Sequence, residues 1–181
     1  MSIVQTGLTY ATLLVHISWI AGLLLYLVYR SPLQTESFDA YIRGIVDFLS
    51  NYYRETSLVM VSVATSGSLY FSEILGWEPC IMCWYQRILM YPLVILFGVA
   101  VILFKDDVED YALPILTLGT GVSLYHYLVQ MLDTIQSSCT ATGISCDAVF
   151  TQGLDYITIP MMALTVFITV LILNWKFSNQ S

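Results

Sequence analysis

Five long apolar stretches restrict this chain to a helical fold that spans a membrane. Crossing a hydrocarbon core takes ~20 residues. The stretches are about that long and run over Leu8–Tyr29, Ser57–Trp77, Tyr85–Phe104, Tyr111–Leu132 and Asp155–Trp175. Hydrophobic residues make up 57% of the 181 residues and charged residues only 10%, whereas a soluble domain carries about 25% charged residues. We therefore expect an all-α integral membrane protein.

The region before the second stretch predicts two elements. No charged residue occurs between Met1 and Tyr29, and no basic n-region or cleavage site is present, so the first stretch reads as a retained span rather than a signal peptide. Within Ser31–Thr56, apolar residues recur at helical spacing. They are Phe38, Tyr41, Ile42, Ile45, Val46 and Leu49. This pattern predicts a short amphipathic helix, either at the cytoplasmic membrane surface or packed beneath the bundle.

The basic residues predict the orientation. Five of the six lie in or beside segments that would share one side of the membrane: Arg30, Arg43, Arg54, Lys105 and Lys176. The segments Glu78–Trp84 and Asp133–Leu154 contain none. The positive-inside rule then predicts an N-terminus outside, a cytoplasmic C-terminus and cysteine loops outside, where disulfides persist. The net charge of −7 and the lack of a basic cluster argue against a nucleic-acid partner.

A C-x-x-C pair, Cys80 and Cys83, stands at the start of the third stretch, directly after Pro79. Because proline is tolerated in the first helical turn, both cysteines are expected there, where the positive helix end favours a thiolate. Arg87 follows one turn deeper on the same face. A charge at that depth is costly, so we expect a Cys83 thiolate or a polar ligand headgroup as its partner. The alternative is an arginine that snorkels to the surface.

Other uses of C-x-x-C fit less well. Attachment of haem needs a following histidine, but Trp84 stands there. A structural zinc site usually combines two closely spaced pairs, and the second pair here, Cys139 and Cys146, has six intervening residues and lies in a loop without histidine. A purely structural disulfide stays an alternative. Redox-active pairs fit best, with the exposed loop pair within reach of an outside thiolate.

The fourth stretch carries His126 and Gln130 four residues apart, at the same predicted membrane level as Arg87. They share a helix face. They are either part of a ligand site or packing residues.

These residues together resemble the DsbB family of membrane thiol oxidases, and within it the BdbC-type members. The likeness lies in LYFSEILGWEPCIMCWYQRILMYPL at Leu69–Leu93, YHYLVQ at Tyr125–Gln130 and DYITIP ending at Pro160. It covers roughly Ser57–Lys176 and is specific as a combination. Residues 1–56 depart from the family's four-span pattern.

The resemblance implies a four-helix bundle at 57–176, with residues 1–56 as an additional membrane helix and surface segment. It also implies disulfide bond formation with a quinone, ubiquinone or menaquinone, as electron acceptor. The quinone would lie beside Cys83 and Arg87, with His126 and Gln130 near its pocket. Cys139 and Cys146 would exchange with an extracytoplasmic thioredoxin-like thiol oxidase of the DsbA or BdbD type. That partner is expected to attack Cys139 first.

Three rival interpretations make different predictions. A vitamin K epoxide reductase-like protein would carry C-x-x-C after its loop cysteines, whereas here C-x-x-C comes first. A non-enzymatic scaffold would have stable disulfides that ignore quinone. A metal transporter would bind metal through its reduced cysteines.

Overall fold

The computed structural model describes residues 3–29, 36–104, 107–132, 146 and 156–178. Five α-helices and one π-helical turn form this part of the chain. They are α1 (Ile3–Tyr29), α2 (Glu36–Leu69), the π turn (Tyr70–Ile74), α3 (Ile81–Leu103), α4 (Val108–Met131) and α5 (Ile159–Ser178). The expectation of an all-α membrane protein is confirmed.

Four of these helices are long and apolar enough to cross a membrane: α1, α3, α4 and α5. They correspond to the first, third, fourth and fifth predicted spans. The second predicted span is not among the four; its helix ends at Leu69 and its sequence continues into the π turn. This segment is richer in serine and threonine and carries Glu73. It nevertheless packs against α3 and α5 as part of the bundle.

The predicted surface helix and the second predicted span form one helix, α2, rather than two separate elements. Neither proline nor glycine occurs between Gly44 and Gly67 to break it. A kink at Tyr52, with φ −121° and ψ 19°, marks the change of direction. The predicted boundary between residues 56 and 57 therefore falls inside α2, and the division into two domains stays a prediction.

The core lies between α2, α3, α4 and α5. Its fully buried side chains include Val61, Leu93, Phe97, Leu116, Phe167 and Val170. Gly119 of α4 lies directly against the Phe167 ring, and a Cβ on this glycine would be only 2.2 Å from Phe167 Cε1. Gly119 therefore allows α4 to pack closely against α5.

A buried polar contact fastens α2 to α4 at the end of the bundle where α4 begins. Glu109 is almost fully buried, and its Oε1 accepts a hydrogen bond from the Tyr53 hydroxyl. The Arg54 Nε atom lies 3.3 Å from the same oxygen. A buried carboxylate needs such partners, so this contact fixes how α2 packs on the bundle.

The π turn and Gly76 bring the chain from α2 to the start of α3. The Leu75 N–H donates to the Tyr70 carbonyl at 3.1 Å, which is the wider π spacing. Gly76 has φ +66°, in the left-handed region that favours glycine. Trp77 stacks on Phe71 with ring centroids 5.3 Å apart. The reversal is therefore packed in place and leads directly into Pro79 and Cys80.

Candidate active site

The dithiol of Cys80 and Cys83 lies at the very start of α3, as predicted. Cys80 is the N-cap residue, and its sulfur accepts a hydrogen bond from the Cys83 N–H at 3.4 Å. The two Sγ atoms are 3.2 Å apart, and Cys80 donates to Cys83. That hydrogen bond, together with burial, raises the pKa of Cys80 to about 12. Of the two sulfurs, Cys83 is therefore the one placed to carry negative charge.

His126 joins three parts of the site through one buried imidazole. Its Nε2 lies 3.1 Å from the Cys146 carbonyl oxygen and 3.6 Å from Cys80 Sγ. Its Nδ1 lies 3.3 Å from Nε2 of Gln86. A carbonyl only accepts, so Nε2 carries the proton, and Nδ1 of the neutral ring accepts from the Gln86 amide. The imidazole N–H thus points at both the loop backbone and the dithiol.

Cys146 is buried beside the dithiol although it belongs to the predicted loop. It forms a small apolar cluster with Cys80 and Val129, bordered by Ile81, Met82 and Cys83. The structure thus gathers three of the four predicted redox cysteines at one end of the bundle. The fourth, Cys139, lies outside the described residues.

Arg87 is held by α2, a partner that the sequence did not indicate. Its Nε donates to Ser68 Oγ and its Nη2 to the Ser68 carbonyl, both at 3.0 Å. The Tyr91 hydroxyl donates to the same Ser68 Oγ at 3.2 Å. The guanidinium also lies over the Trp84 ring, 5.4 Å from its centroid. These contacts orient the cation and leave it at the wall of a cavity.

A cavity of about 240 Å³ opens beside Cys83, between α1, α2, α3 and α5. Cys83, Gln86 and Arg87 form a polar part of its lining. Most other lining side chains are apolar and include Met60, Val63, Met90 and Val166. Cys80 and His126 are not lining residues. The dithiol therefore has two different sides, with Cys83 facing the cavity and Cys80 facing His126 and Cys146.

The two polar residues predicted on α4 fall in different places. His126 is buried at the dithiol, and its neighbour Gln86 lines the cavity. Gln130 is partly buried one turn further along α4 and does not line the cavity. Sequence reasoning identified neither Gln86 nor Ser68 as a residue of the site. Gln86 could have been noticed because it follows Cys83 by three residues and so shares its helix face.

The ligand atoms of Cys80, Cys83 and His126 lie within 4.8 Å of one another, close enough to hold a metal ion. Two thiolates and an imidazole suit a soft divalent ion. The same atoms carry the dithiol chemistry, so metal binding and disulfide formation would compete for them.

The fold and the site define an all-α membrane protein built around a dithiol, with Cys80 buried and Cys83 at a cavity. A family model described as "Disulfide bond formation protein DsbB" matches residues 55–176. The chain belongs to this family, and its role is that of an oxidoreductase in disulfide bond formation.

Relatives are similar over a little less than two thirds of the chain. "Probable disulfide formation protein C 1" of Bacillus cereus is 42% identical over 114 residues, which cover 62% of this chain and 82% of that protein. "Disulfide bond formation protein C" of Bacillus subtilis is 41% identical over 117 residues, covering 64% and 85%. No solved structure matches.

Proposed function

We propose that the chain reoxidises an extracytoplasmic thioredoxin-like thiol oxidase and passes the electrons through its two cysteine pairs to a membrane quinone. One observation carries this proposal: the dithiol has two sides. Cys83 lines the apolar cavity, whereas Cys80 lies next to His126 and Cys146. Electrons that arrive at one sulfur can therefore leave from the other.

The first step is exchange with the partner at the loop pair. A partner thiolate attacks the Cys139–Cys146 disulfide at Cys139, and Cys146 leaves as a thiolate. The partner's second thiolate then attacks the mixed disulfide, which releases Cys139 and an oxidised partner. Two electrons now reside on the loop pair, with Cys146 as a thiolate. The assignment of Cys139 rests on the sequence, since that residue lies outside the described part of the chain.

The second step passes these electrons to C-x-x-C. The Cys146 thiolate attacks Cys80 of the Cys80–Cys83 disulfide, and Cys83 leaves as a thiolate. Cys139 then attacks Cys146, which restores the loop disulfide and frees Cys80. The packing of Cys146 beside Cys80 supports this route. The His126 N–H, 3.6 Å from Cys80 Sγ, is positioned to stabilise charge on that sulfur as it leaves.

The cavity fits a quinone, with Cys83, Gln86 and Arg87 suited to its polar ring and the apolar lining suited to its tail. A bound quinone would accept two electrons and two protons and leave as a quinol. Cys83 supplies the reacting thiolate on this side. Arg87, held at the cavity wall by Ser68, supplies a fixed positive charge where negative charge develops.

The class of reaction can be tested by anaerobic mixing of the oxidised protein, a reduced thioredoxin-like oxidase and excess quinone. We expect one quinol for each partner disulfide formed. Cys83→Ser provides the matched control, since it removes the cavity-facing sulfur and should leave the quinone oxidised. Partner oxidation that stops after one turnover, without quinol, would instead indicate disulfides that do not communicate with quinone.

We also propose that both cysteine pairs face the exterior, with the N-terminus outside and the C-terminus in the cytoplasm. Five of the six basic residues support this orientation, and Arg87 is the exception. Residues 57–176 would then be the catalytic unit, in agreement with the family match over 55–176. A membrane-impermeant maleimide should label Cys139 in reduced whole cells, whereas Cys146 is buried. Labelling that appears only after the membrane is opened would reverse the orientation.

A further inference from the structure

The cavity beside Cys83 has one wall from outside the part of the chain that matches the family. The match begins at residue 55, whereas α1 contributes Leu8, Ala11, Thr12 and Val15 to the lining. We propose that α1 is part of the quinone site and that Leu8 and Val15 contact the apolar tail of a prenylated quinone. This inference rests on the quinone-reducing function proposed above.

Leu8 contacts α2 at Gly67, next to Ser68, the residue that binds Arg87. A Cβ on Gly67 would lie 2.8 Å from Leu8 Cδ1, so the glycine permits this close approach. The next residue, Ser68, accepts both hydrogen bonds from Arg87. Gly67 and Ser68 are themselves lining residues. The α1 contact therefore lies next to the polar part of the cavity and is not a separate surface.

His16 fixes α1 at a second point, through Thr165 of α5 and Tyr156. Its Nε2 lies 2.8 Å from Thr165 Oγ1, and its Nδ1 lies 3.1 Å from the Tyr156 hydroxyl. Thr165 donates its own proton to the Met161 carbonyl at 2.8 Å. It must therefore accept from His16 Nε2–H, and Nδ1 then accepts from Tyr156. All protons are accounted for with a neutral imidazole, and Thr165 also lines the cavity.

The remainder of α1 has a different character. Its buried residues, Gln5, Thr9 and Thr12, all lie in the first half of the helix. Beyond His16, most side chains are exposed. The cavity-lining residues of α1 and the hydrogen bonds of His16 lie in the same half. Their concentration there indicates that this half completes the binding site while the second half faces lipid.

The test compares two quinones that differ only in the tail: menadione, which has none, and a menaquinone with a short prenyl tail. Equilibrium binding to the purified full chain is followed by quenching of tryptophan fluorescence, since Trp77 lines the cavity. Quinone reduction is measured on the same samples. The variants are Leu8→Ala and Val15→Ala, and the control is Leu14→Ala, whose side chain is 66% exposed on the same helix.

We expect each cavity-facing variant to weaken binding of the prenylated quinone by about 10-fold, the effect of a lost apolar contact in a pocket. Binding of menadione and the control variant should change less than twofold. A third variant, His16→Phe, removes both anchoring hydrogen bonds and should give the same tail-dependent loss. If every variant bound the prenylated quinone as tightly as the wild type does, the proposed role of α1 would be overturned. A wild-type protein that neither binds nor reduces either quinone would overturn the proposed function itself.

Discussion

The Nε2 atom of His126 lies 3.1 Å from the backbone carbonyl oxygen of Cys146, which joins α4 to the second cysteine segment. The same nitrogen lies 3.6 Å from Cys80 Sγ. One N–H therefore binds the Cys146 carbonyl and faces Cys80 Sγ, the sulfur that Cys146 would attack. This arrangement makes His126 a link between the two pairs rather than part of the cavity wall.

Replacement of His126 by alanine should slow electron transfer from the loop pair to Cys80–Cys83. A hydrogen bond to a charged group is worth about 1.5–3 kcal/mol, so we expect a decrease of about 10- to 100-fold. The rate can be followed by quenching the reaction with partner and resolving thiol-labelled species by gel shift. Leu124→Ala, an exposed position on the same helix, is the control. An unchanged transfer rate in His126→Ala would show that His126 does not assist electron transfer between the two cysteine pairs.

Cys83→Ser should abolish quinone reduction while the loop can still form a mixed disulfide with the partner. The reason is that Cys83 alone of the two sulfurs of this pair lines the cavity. Trapping with a partner that lacks its second thiol should give a covalent adduct in the variant as in the wild type. Normal quinone turnover in Cys83→Ser would show that another sulfur donates.

Arg87→Met should reduce quinone turnover about 10²- to 10³-fold, which corresponds to ~2.7–4 kcal/mol of barrier. Ser68→Ala should cost less, because it removes the contact at Nε but keeps the bond from Nη2 to the main-chain carbonyl. The two effects should not add in the double variant, since both act on one guanidinium. Near-normal kinetics with a lowered unfolding temperature in Arg87→Met would reduce Arg87 to a helix anchor.

The reactivity of Cys80 should depend on Cys83. The pKa of Cys80 is raised to about 12, first by its hydrogen bond to Cys83 and then by burial. Cys80 should therefore stay a thiol up to pH 10 in the reduced protein and react slowly with iodoacetamide. Cys83→Ala removes the hydrogen bond that raises the pKa of Cys80 most. The pKa of Cys80 should therefore fall towards its ordinary value near 9.0. Alkylation at Cys80, measured by mass spectrometry from pH 7 to 10, should then begin to rise at lower pH. Identical pH profiles in Cys83→Ala and the wild type would show that the hydrogen bond to Cys83 does not raise the pKa of Cys80.

Gly119→Ala should destabilise the bundle, because the added Cβ would lie 2.2 Å from Phe167 Cε1 in a closely packed core. Overpacking of this kind costs about 1–3 kcal/mol. Gly121→Ala is a sharp control on the same helix, since nothing lies within 4 Å of its added Cβ. Thermal unfolding in detergent should show a lower midpoint for Gly119→Ala and an equal or higher midpoint for Gly121→Ala.

The sequence predicted the features that depend on local pattern. Hydrophobic length identified α1, α3, α4 and α5, and Pro79 before C-x-x-C located the dithiol at the start of α3. These features follow from neighbouring residues alone. The joining of the surface segment to the second stretch in α2 was missed, because an amphipathic pattern and an apolar one suggested two elements although no breaker separates them.

Features that depend on contacts between helices could not be predicted in the same way. The pairing of Arg87 with Ser68 requires that α2 and α3 meet at those residues, 19 positions apart. The contact of His126 with Cys80 depends on how α4 rotates against α3. Spacing along one helix shows which residues lie on the same face of that helix, but it does not show which residues of another helix pack against that face.

The position of Cys83 in the first turn of α3 also bears on the reduction potential of the pair. Backbone N–H groups at a helix start stabilise a thiolate by about 0.3–1 kcal/mol. Because a thiolate exists only in the reduced state, this shifts the reduction potential of the pair upward by roughly 6–21 mV, in the direction of a stronger oxidant. The helix end therefore makes reduction of the Cys80–Cys83 disulfide by the loop pair more favourable. By the same amount, it demands an acceptor of higher potential to take them away.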